Sequence, residues 1–184
     1  DLVLLNVCLE PMAAFFIDAG LLQEGAQRLD AALAQLETAA AGEAELRSTV
    51  RARLMNQRAR FAYILADYDR GLSIAQAALE LAAKAGLDTV TAHSHLEIGR
   101  ALEGRCEYEA ARVQLEQALQ LAQAEKLSFV QINSLRTLGH VLMFQGYYDA
   151  ARRRYQAGLD AARQYGRRTS EIHMRINLGN IAYL

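Results

Sequence analysis

Apolar and small side chains recur along the chain at the spacing of a helix face, and the pattern returns with a fixed period of about 40 residues. Two positions of this repeat hold the same residue three times: Tyr68, Tyr108 and Tyr148 at one, and Gly99, Gly139 and Gly179 at the other. Residues 127–166 match residues 87–126 at eleven positions. A fixed period of this kind is the signature of stacked structural repeats.

Each repeat carries two helical patterns separated by a short turn. In the second pattern, Ala151, Tyr155 and Leu159 recur with the spacing i, i+4 and i+8, which places them on one face of a helix. We therefore predict an all-α fold, an α-solenoid of antiparallel helix pairs. The predicted helices, about nine in number, span residues 3–19, 21–40, 48–65, 68–85, 89–105, 107–125, 129–145, 147–165 and 169–184.

The same register divides the chain into the parts of a single repeat domain, residues 1–184. These parts are a degenerate repeat at 1–47, repeats at 48–86, 87–126 and 127–166, and an unpaired final helix at 167–184. Pro11 falls inside the first helix of the degenerate repeat. Because proline has no amide donor, it should kink or restart that helix.

Polar residues and glycines mark the expected helix ends. The predicted N-caps of three first helices share one position of the repeat: Ser48, Asp88 and Ser128. Ser128 and Gln131 have the spacing of a capping box. Gly86 and Gly166 lie where second helices should end, and we expect both to act as C-terminal caps.

Composition and charge narrow the class of protein. The chain is 52% hydrophobic and 22% charged, which is typical of a globular domain. Its net charge of −1 indicates no polyelectrolyte partner, although residues 127–184 are basic and residues 1–126 acidic. Glu10, Pro11 and Asp18 interrupt the apolar N-terminal run, so no membrane span is predicted.

Cysteine and arginine usage bear on the compartment and the source. Cys8 and Cys106 lie far apart and form no paired motif, so we expect reduced thiols in a cytoplasmic protein. Two lysines stand beside eighteen arginines, a coding bias typical of GC-rich bacterial genomes. These observations favour a bacterial cytoplasmic protein.

The sequence contains no motif typical of catalysis or cofactor binding, so we predict neither an enzyme nor a bound cofactor. His93 and His95 come nearest to a metal motif, but positions i and i+2 on a helix point to different sides. We therefore expect no metal site. Arg152, Arg153 and Arg154 likewise spread around a helix, so direct binding of nucleic acid is not expected.

These repeats resemble the tetratricopeptide repeats, whose motif combines Leu-Gly in the first helix with Ala-x3-Phe in the second. Leu138-Gly139 matches the first pair, and Ala151-x3-Tyr155 is close to the second. The tryptophan and the closing proline of the motif are absent, and the period exceeds the usual length of about 34 residues. The chain is similar to the long-helix variety found in kinesin light chains, Pins-type adaptors and the sensor domains of MalT-like activators.

The resemblance implies a right-handed superhelix whose first helices line a concave groove. The groove residues that it implies are mostly polar, aromatic or cationic: Arg53, Asn56, Arg60, Tyr63, His93, Arg100, Glu103, Asn133, Arg136, His140, Met143, His173, Asn180 and Tyr183. Because guanidinium groups match carboxylates in geometry, these residues favour an extended acidic or carboxylate-ended segment as ligand. An ordinary solvated helix face is the alternative interpretation.

Two functions remain open for such a domain, because a fold does not specify a function. The first is a non-catalytic scaffold that binds a protein or peptide segment in the groove. The second is the effector-sensing repeat domain of a bacterial transcription regulator, which would bind a small ligand or peptide.

The final predicted helix carries three apolar side chains that no following helix covers: Leu178, Ile181 and Leu184. An uncovered apolar face lowers the solubility of a stacked array. We therefore predict either a homodimer contact at this face or a disordered continuation of the chain.

Overall fold

The computed structural model describes residues 2–38 and 44–183, with the backbone alone at Thr38. This part of the chain contains nine helices and no strand, which confirms the predicted all-α fold. No helix within it is long and apolar enough to cross a bilayer. The helices are α1 (Leu2–Asp18), α2 (Leu22–Thr38), α3 (Ala44–Ile64), α4 (Tyr68–Lys84), α5 (Asp88–Gly104), α6 (Tyr108–Ala124), α7 (Ser128–Phe144), α8 (Tyr148–Gln164) and α9 (Arg168–Ala182).

Most helix bounds lie close to the predicted ones. The largest difference is at α3, which begins at Ala44 and not at residue 48. The predicted end of the second helix at residue 40, and residue 184, lie outside the described residues.

One turn geometry joins successive helices wherever the connecting residues are described. Gly86 has a φ of +66°, its amide donates to the carbonyl of Ala83, and the next amide donates to the carbonyl of Ala82. This pair of bonds is the Schellman motif, which ends a helix at a left-handed residue. Gly166 has a φ of +65° and the same two bonds, so the predicted glycine caps are confirmed.

Between α3 and α9 the turn recurs every 20 residues, both inside a helix pair and between pairs. Its left-handed positions there are Ala66, Gly86, Cys106, Lys126, Gly146 and Gly166, and Gly20 holds the same turn between α1 and α2. Each of the helices from α4 to α8 has 17 residues. A β-carbon in the left-handed region costs about 1–2 kcal/mol. Packing of the flanking helices therefore holds this geometry at the positions without glycine.

The predicted N-caps are wrong at all three positions: Ser48, Asp88 and Ser128. Ser48 lies inside α3, and its hydroxyl donates to a backbone carbonyl one turn earlier at 2.9 Å. Asp88 and Ser128 are the first residues of α5 and α7, and the N-cap positions belong to Leu87 and Leu127. The Schellman motif favours an apolar residue at that position, because its side chain packs back onto the preceding helix.

The predicted capping box at Ser128 and Gln131 is also absent from this helix end. Arg167 donates to Ser128 Oγ at 3.2 Å, and the hydroxyl of Tyr165 donates to Gln131 Oε1 at 3.2 Å. Both side chains therefore connect α7 to the turn between α8 and α9.

Glycines allow close approach of the two helices in each pair. A β-carbon built on Gly139 of α7 would lie 2.3 Å from the ring of Tyr155 in α8. Gly99 of α5 meets Leu115 of α6 in the same way, at 2.5 Å. The recurring glycine therefore leaves room for a side chain of the paired helix at these two positions.

Pro11 lies inside α1, which runs without a break from Leu2 to Asp18. The predicted restart of the helix at Pro11 is therefore wrong. Pro11 is exposed, while Leu9 and Ala13 on the opposite side are buried in the core shared with α2 and α3. Burial of these neighbours holds the helix through the missing hydrogen bond.

The predicted uncovered face of the final helix is wrong. Ile181 is 2% exposed and Leu178 packs against the main core, while Leu184 lies outside the described residues. Because α9 contacts α7 and α8, Ile181 and Leu178 pack toward the preceding repeat. The side of α9 that faces away from the core instead carries Ile172, which is 54% exposed.

Candidate binding groove

Five helices line one central cavity of about 420 Å³ on the inner side of the solenoid. The first helices of the pairs contribute most of its wall, and the end of α1 closes one side with Ile17 and Asp18. Six of the predicted groove residues line it: Arg60, Tyr63, Arg100, Asn133, Arg136 and His173. The cavity therefore brings together side chains from four different repeats.

Arg100 lines the cavity, and its side chain is held by two hydrogen-bond partners. Its Nη1 donates to Glu97 Oε1 at 2.8 Å, and both side chains are almost completely buried. Its Nη2 donates to Asn133 Oδ1 at 2.6 Å. Glu97 balances the charge of Arg100, so this arginine serves the structure as well as the cavity.

Arg136 lies next to Arg100 but has no acidic partner. Its Nη2 donates to the same Asn133 Oδ1 at 3.2 Å, and within the described residues no carboxylate lies within ion-pair distance of it. Burial lowers the pKa of Arg136, and the charge of Arg100 lowers it further. An anion entering the cavity would relieve this repulsion.

Arg60 is the third cation of the cavity. Its guanidinium lies 5.0 Å from the ring centroid of Phe129, a cation–π contact. No ion pair to Arg60 is formed within the described part of the chain. Burial, and next the charge of Arg100, lower the pKa of Arg60. Arg60 and Arg136 thus carry positive charges that no carboxylate of the described residues pairs with at ion-pair distance.

Tyr63, Glu103 and His140 form a cluster of titratable side chains beside these arginines. The Tyr63 hydroxyl donates to Glu103 Oε2 at 3.1 Å, and burial followed by the charge of Glu103 raises the pKa of Tyr63 to about 12. Burial also raises the pKa of Glu103. His140 Nδ1 lies 3.8 Å from Glu103 Oε1, but burial and then Arg136 lower the pKa of His140 to about 4. The contact is therefore not an ion pair at pH 7.

A second cavity of about 250 Å³ lies beside the first, between α1, α3 and α5. His93 lines it and stacks on Phe129 with a centroid distance of 5.8 Å. Burial lowers the pKa of His93 to about 4, so its ring is neutral at pH 7. Gln57 also lines this cavity, and its buried Oε1 has no hydrogen-bond partner in the described structure.

Two predicted groove residues at the second cavity are engaged by the fold. Asn56 donates to the carbonyl of Val90 at 3.2 Å and accepts from Ser94 at 3.0 Å. Arg53 donates to the carbonyl of Asn6 at 3.0 Å and pairs with a carboxylate of α1 at 3.3 Å. Both bonds tie α3 to its neighbours, which leaves less of either side chain for a ligand.

Three further predicted groove residues lie outside the two cavities. Met143 is half-buried and packs against the core, whereas Asn180 and Tyr183 are exposed at the end of α9. Phe129 and Glu97 were missed, although they organise the arginines. The equivalents of Phe129 in the neighbouring repeats are Thr89 and Thr169, so no repeated aromatic signal marks the position.

A metal centre is not evident in residues 2–38 and 44–183. No group of three or more histidine, cysteine, aspartate or glutamate side chains in these ranges is arranged to hold an ion.

Solved structures of helical repeat proteins are similar to this chain. The apo form of RapI aligns with a TM-score of 0.76 and 21% identity, over 93% of this chain and 60% of RapI. BtubC (BKLC) from P. vanneervenii aligns with a TM-score of 0.74 and 15% identity, over 98% of this chain and 74% of BtubC.

No model of a protein family and no curated protein sequence matches the chain. Both structural neighbours are tetratricopeptide-like helical repeat proteins. The chain spans about three fifths of the length of RapI. These similarities confirm a tetratricopeptide-like α-solenoid as the fold.

Proposed function

We propose that this tetratricopeptide-like solenoid is a non-catalytic scaffold whose concave groove binds a segment of a partner protein. The segment presents an acidic side chain or a terminal carboxylate to Arg60 and Arg136. The single observation that carries the proposal is that both arginines line one cavity without an ion-pair partner in the described chain.

The surroundings of the two arginines support an anionic ligand. Arg100, which is already paired with Glu97, repels both and lowers the pKa of each. A carboxylate would offset that repulsion and accept the charge-assisted hydrogen bonds that the guanidinium groups can donate. Apolar wall residues that keep exposed surface, such as Ile17 and Ile64, would contact the rest of the segment.

Asp18 is the acidic group in the wall of the same cavity, at the end of α1. It would repel a uniformly acidic ligand on that side and attract a cationic group. The proposal therefore favours a segment whose negative charge is concentrated at the arginine side, and not a polyanion.

The test uses two fluorescein-labelled decapeptides of the same sequence, one with Asp and Glu and one with Asn and Gln at the same positions. We expect the acidic peptide alone to bind in fluorescence anisotropy, with an affinity that falls as salt increases. Arg136→Gln and Arg60→Gln should each weaken binding about tenfold, from the loss of one charge-assisted contact.

Arg153→Gln is the matched control, because Arg153 is an exposed arginine of α8 outside the central cavity. Equal binding of the two peptides, or an Arg60→Gln/Arg136→Gln double variant that binds like the native chain, would refute the groove assignment. Arg100 is unsuitable for this test because its replacement leaves Glu97 buried without a partner.

A small effector is the second candidate ligand, because the central cavity of about 420 Å³ is lined by five helices. Citrate, a small tricarboxylate, serves as the probe. Competition by citrate that requires Arg136 would favour effector binding. Displacement of the peptide only by longer acidic peptides would favour the scaffold.

A homodimer through the final helix is one of the two possibilities that the sequence left open for that helix. Since Ile181 is buried in the chain itself, only the opposite face of α9 is available for such a contact.

A further inference from the structure

The second cavity and the central cavity are joined by a third one, named here the bridging cavity, of about 310 Å³. The bridging cavity shares Arg60 and Phe129 with the central cavity, and it shares Gln57 and His93 with the second cavity. These shared residues make the three cavities parts of one groove. A segment whose carboxylate reaches Arg60 therefore has a path into the second cavity.

Gln57 lies where the bridging cavity meets the second cavity, because it lines both. The residue is only 7% exposed, and its Oε1 has no hydrogen-bond partner within the described residues. A buried acceptor without a donor carries a desolvation cost that no hydrogen bond offsets. A ligand that brings an N–H or O–H group to this oxygen would remove that cost. The position therefore favours a ligand that donates.

The charges around the second cavity favour a neutral donor over a cation. His93 lines the same two cavities as Gln57, and burial lowers its pKa to about 4. Glu10 opposes this shift, whereas three arginines, among them Arg60, add to it. A lysine or arginine side chain of a ligand would meet the same burial and the same repulsion. An acidic group, in contrast, would leave the Gln57 oxygen without a donor.

A carboxamide on an aliphatic stem fits the remaining walls of the second cavity. Leu87 and Leu127 line it and are half-buried, so both keep surface that can contact methylene groups. The neutral ring of His93 has one donor and one acceptor nitrogen. A carboxamide carries two N–H donors and a carbonyl acceptor, so it can donate to Gln57 and also form a hydrogen bond with His93.

We propose that the second cavity is a subsite for a neutral carboxamide side chain, asparagine or glutamine, of the segment whose acidic group binds Arg60 and Arg136. The inference rests on the proposed function and adds a second recognised residue to the same segment. The pocket that holds the carboxamide is named here the amide subsite.

The positions of Gln57 and Arg60 fix the spacing of the two recognised residues. They stand three positions apart on α3, and β-carbons at that spacing lie about 5–6 Å from each other. An extended segment rises about 3.3 Å per residue and alternates its side chains between two faces, so residues two apart share a face at about 7 Å. The carboxamide should therefore stand two residues from the acid.

Pairs of fluorescein-labelled peptides test the proposal in fluorescence anisotropy. Every peptide carries a single glutamate. One member of each pair has glutamine two residues before or after it, and the other member has methionine, a side chain of similar length, at that position. We expect the glutamine member of one pair to bind about tenfold more tightly, because it supplies a donor to the buried acceptor. Lysine at the same position should bind no more tightly than methionine.

Gln57→Met removes the acceptor and keeps the length of the side chain. Because the oxygen has no partner in the described structure, this variant should unfold at a urea concentration no lower than the native chain does. It should bind both members of the pair equally and still require their glutamate. Gln120→Met is the matched control, because Gln120 is exposed on α6 and lines none of the three cavities, and it should keep the preference for glutamine.

Three results would overturn the amide subsite while the proposed function stands. The native chain could bind both members of every pair equally, it could prefer lysine, or its preference for glutamine could persist in Gln57→Met. In each case the glutamate would still be required for binding.

Failure of the proposed function has a different signature, in which no peptide binds or the glutamate is not required. Titration with N-acetylglutamine methylamide up to about 50 mM, a range that covers weak binding, then decides on the amide subsite, since this probe carries the carboxamide without an acid. Shifts of the His93 ring protons in nuclear magnetic resonance spectra, absent with N-acetylmethionine methylamide and lost in Gln57→Met, would support the subsite. Unchanged His93 signals would overturn it.

Discussion

Arg100 and Arg136 donate to one and the same atom, Asn133 Oδ1, at 2.6 and 3.2 Å. The shared acceptor holds the two donor nitrogens within about 6 Å of each other, a separation at which like charges repel appreciably in a partly buried site. A neutral amide oxygen thus bridges two cations, of which Arg100 alone has a carboxylate partner within the described residues. The arrangement orients the Arg136 guanidinium at the cavity wall.

The buried pair of Arg100 and Glu97 should be essential for stability. We expect Arg100→Met to lower the free energy of unfolding by about 3–5 kcal/mol, because Glu97 would remain buried without a partner. Urea denaturation measures the change. Arg105→Gln, which removes a more exposed arginine from its ion pairs, should cost no more than about 1 kcal/mol. Equal costs for the two variants would show that the buried pair is not required.

Two glycines at equivalent positions of successive repeats should respond oppositely to the same change. Gly139→Ala should lower the free energy of unfolding by about 1–3 kcal/mol, because the new methyl group would overlap the ring of Tyr155. Gly179→Ala should raise it by roughly 0.5–1 kcal/mol, from better helix propensity in open space. Urea midpoints of the two variants, measured side by side at low protein concentration, check the contrast. Destabilisation by both would mean that the end of α9 is already packed.

At the left-handed turn positions that lack glycine, replacement by glycine should stabilise the chain. Lys126 has a φ of +56°, so Lys126→Gly should stabilise the chain by about 1 kcal/mol through relief of the β-carbon contact. Gly146→Ala is the reciprocal control, with a φ of +81°, and should destabilise by a similar amount. Thermal melting of both variants provides the measurement. A loss of stability in Lys126→Gly would indicate that the lysine side chain itself contributes to the fold.

The histidines of the groove should make stability fall as the pH falls through the range from 6.5 to about 4. Burial lowers the pKa of both His93 and His140 to about 4, whereas in the unfolded chain each binds a proton near its ordinary pKa. The unfolded state therefore takes up more protons in this window, and the loss amounts to at most about 1.4 kcal/mol per pH unit for each histidine.

His140→Asn provides the comparison for this pH dependence. The difference between its urea midpoints at pH 6.5 and pH 5.5 should be smaller than that of the native chain. An identical dependence in both proteins would indicate that His140 is not held neutral in the fold.

The repeat period predicted the positions of the helices well because it was read from residues that pack. Tyr148 recurs where each second helix begins, Ala151 and Tyr155 lie where α8 meets α7, and the predicted helix at 147–165 differs from α8 by one residue at each end. The helix ends were harder, since Leu87 and Leu127 occupy the N-cap positions through a turn geometry that polar cap rules do not describe.

The groove was predictable only in part. The inward columns identified the arginines, but not which of them is already paired, because Glu97 sits in a column that holds Gln57 and Thr137 in neighbouring repeats. The position of Asp18 in the cavity wall could not be predicted, because it depends on the curvature that brings α1 toward α9. No local sequence pattern encodes that curvature. The sequence also failed to identify which side of α9 packs against the core, because both sides of this helix carry isoleucine.

Because the same turn joins helices within a pair and between pairs, the backbone would accept insertion or deletion of either a single helix or a helix pair. Adding or removing a single helix with its turn exchanges the inner and outer roles of every helix after it. Adding or removing a whole helix pair preserves those roles, so the groove columns stay in phase. The chain is therefore modular at two scales, with the single helix as the unit of the backbone and the helix pair as the unit of the binding surface.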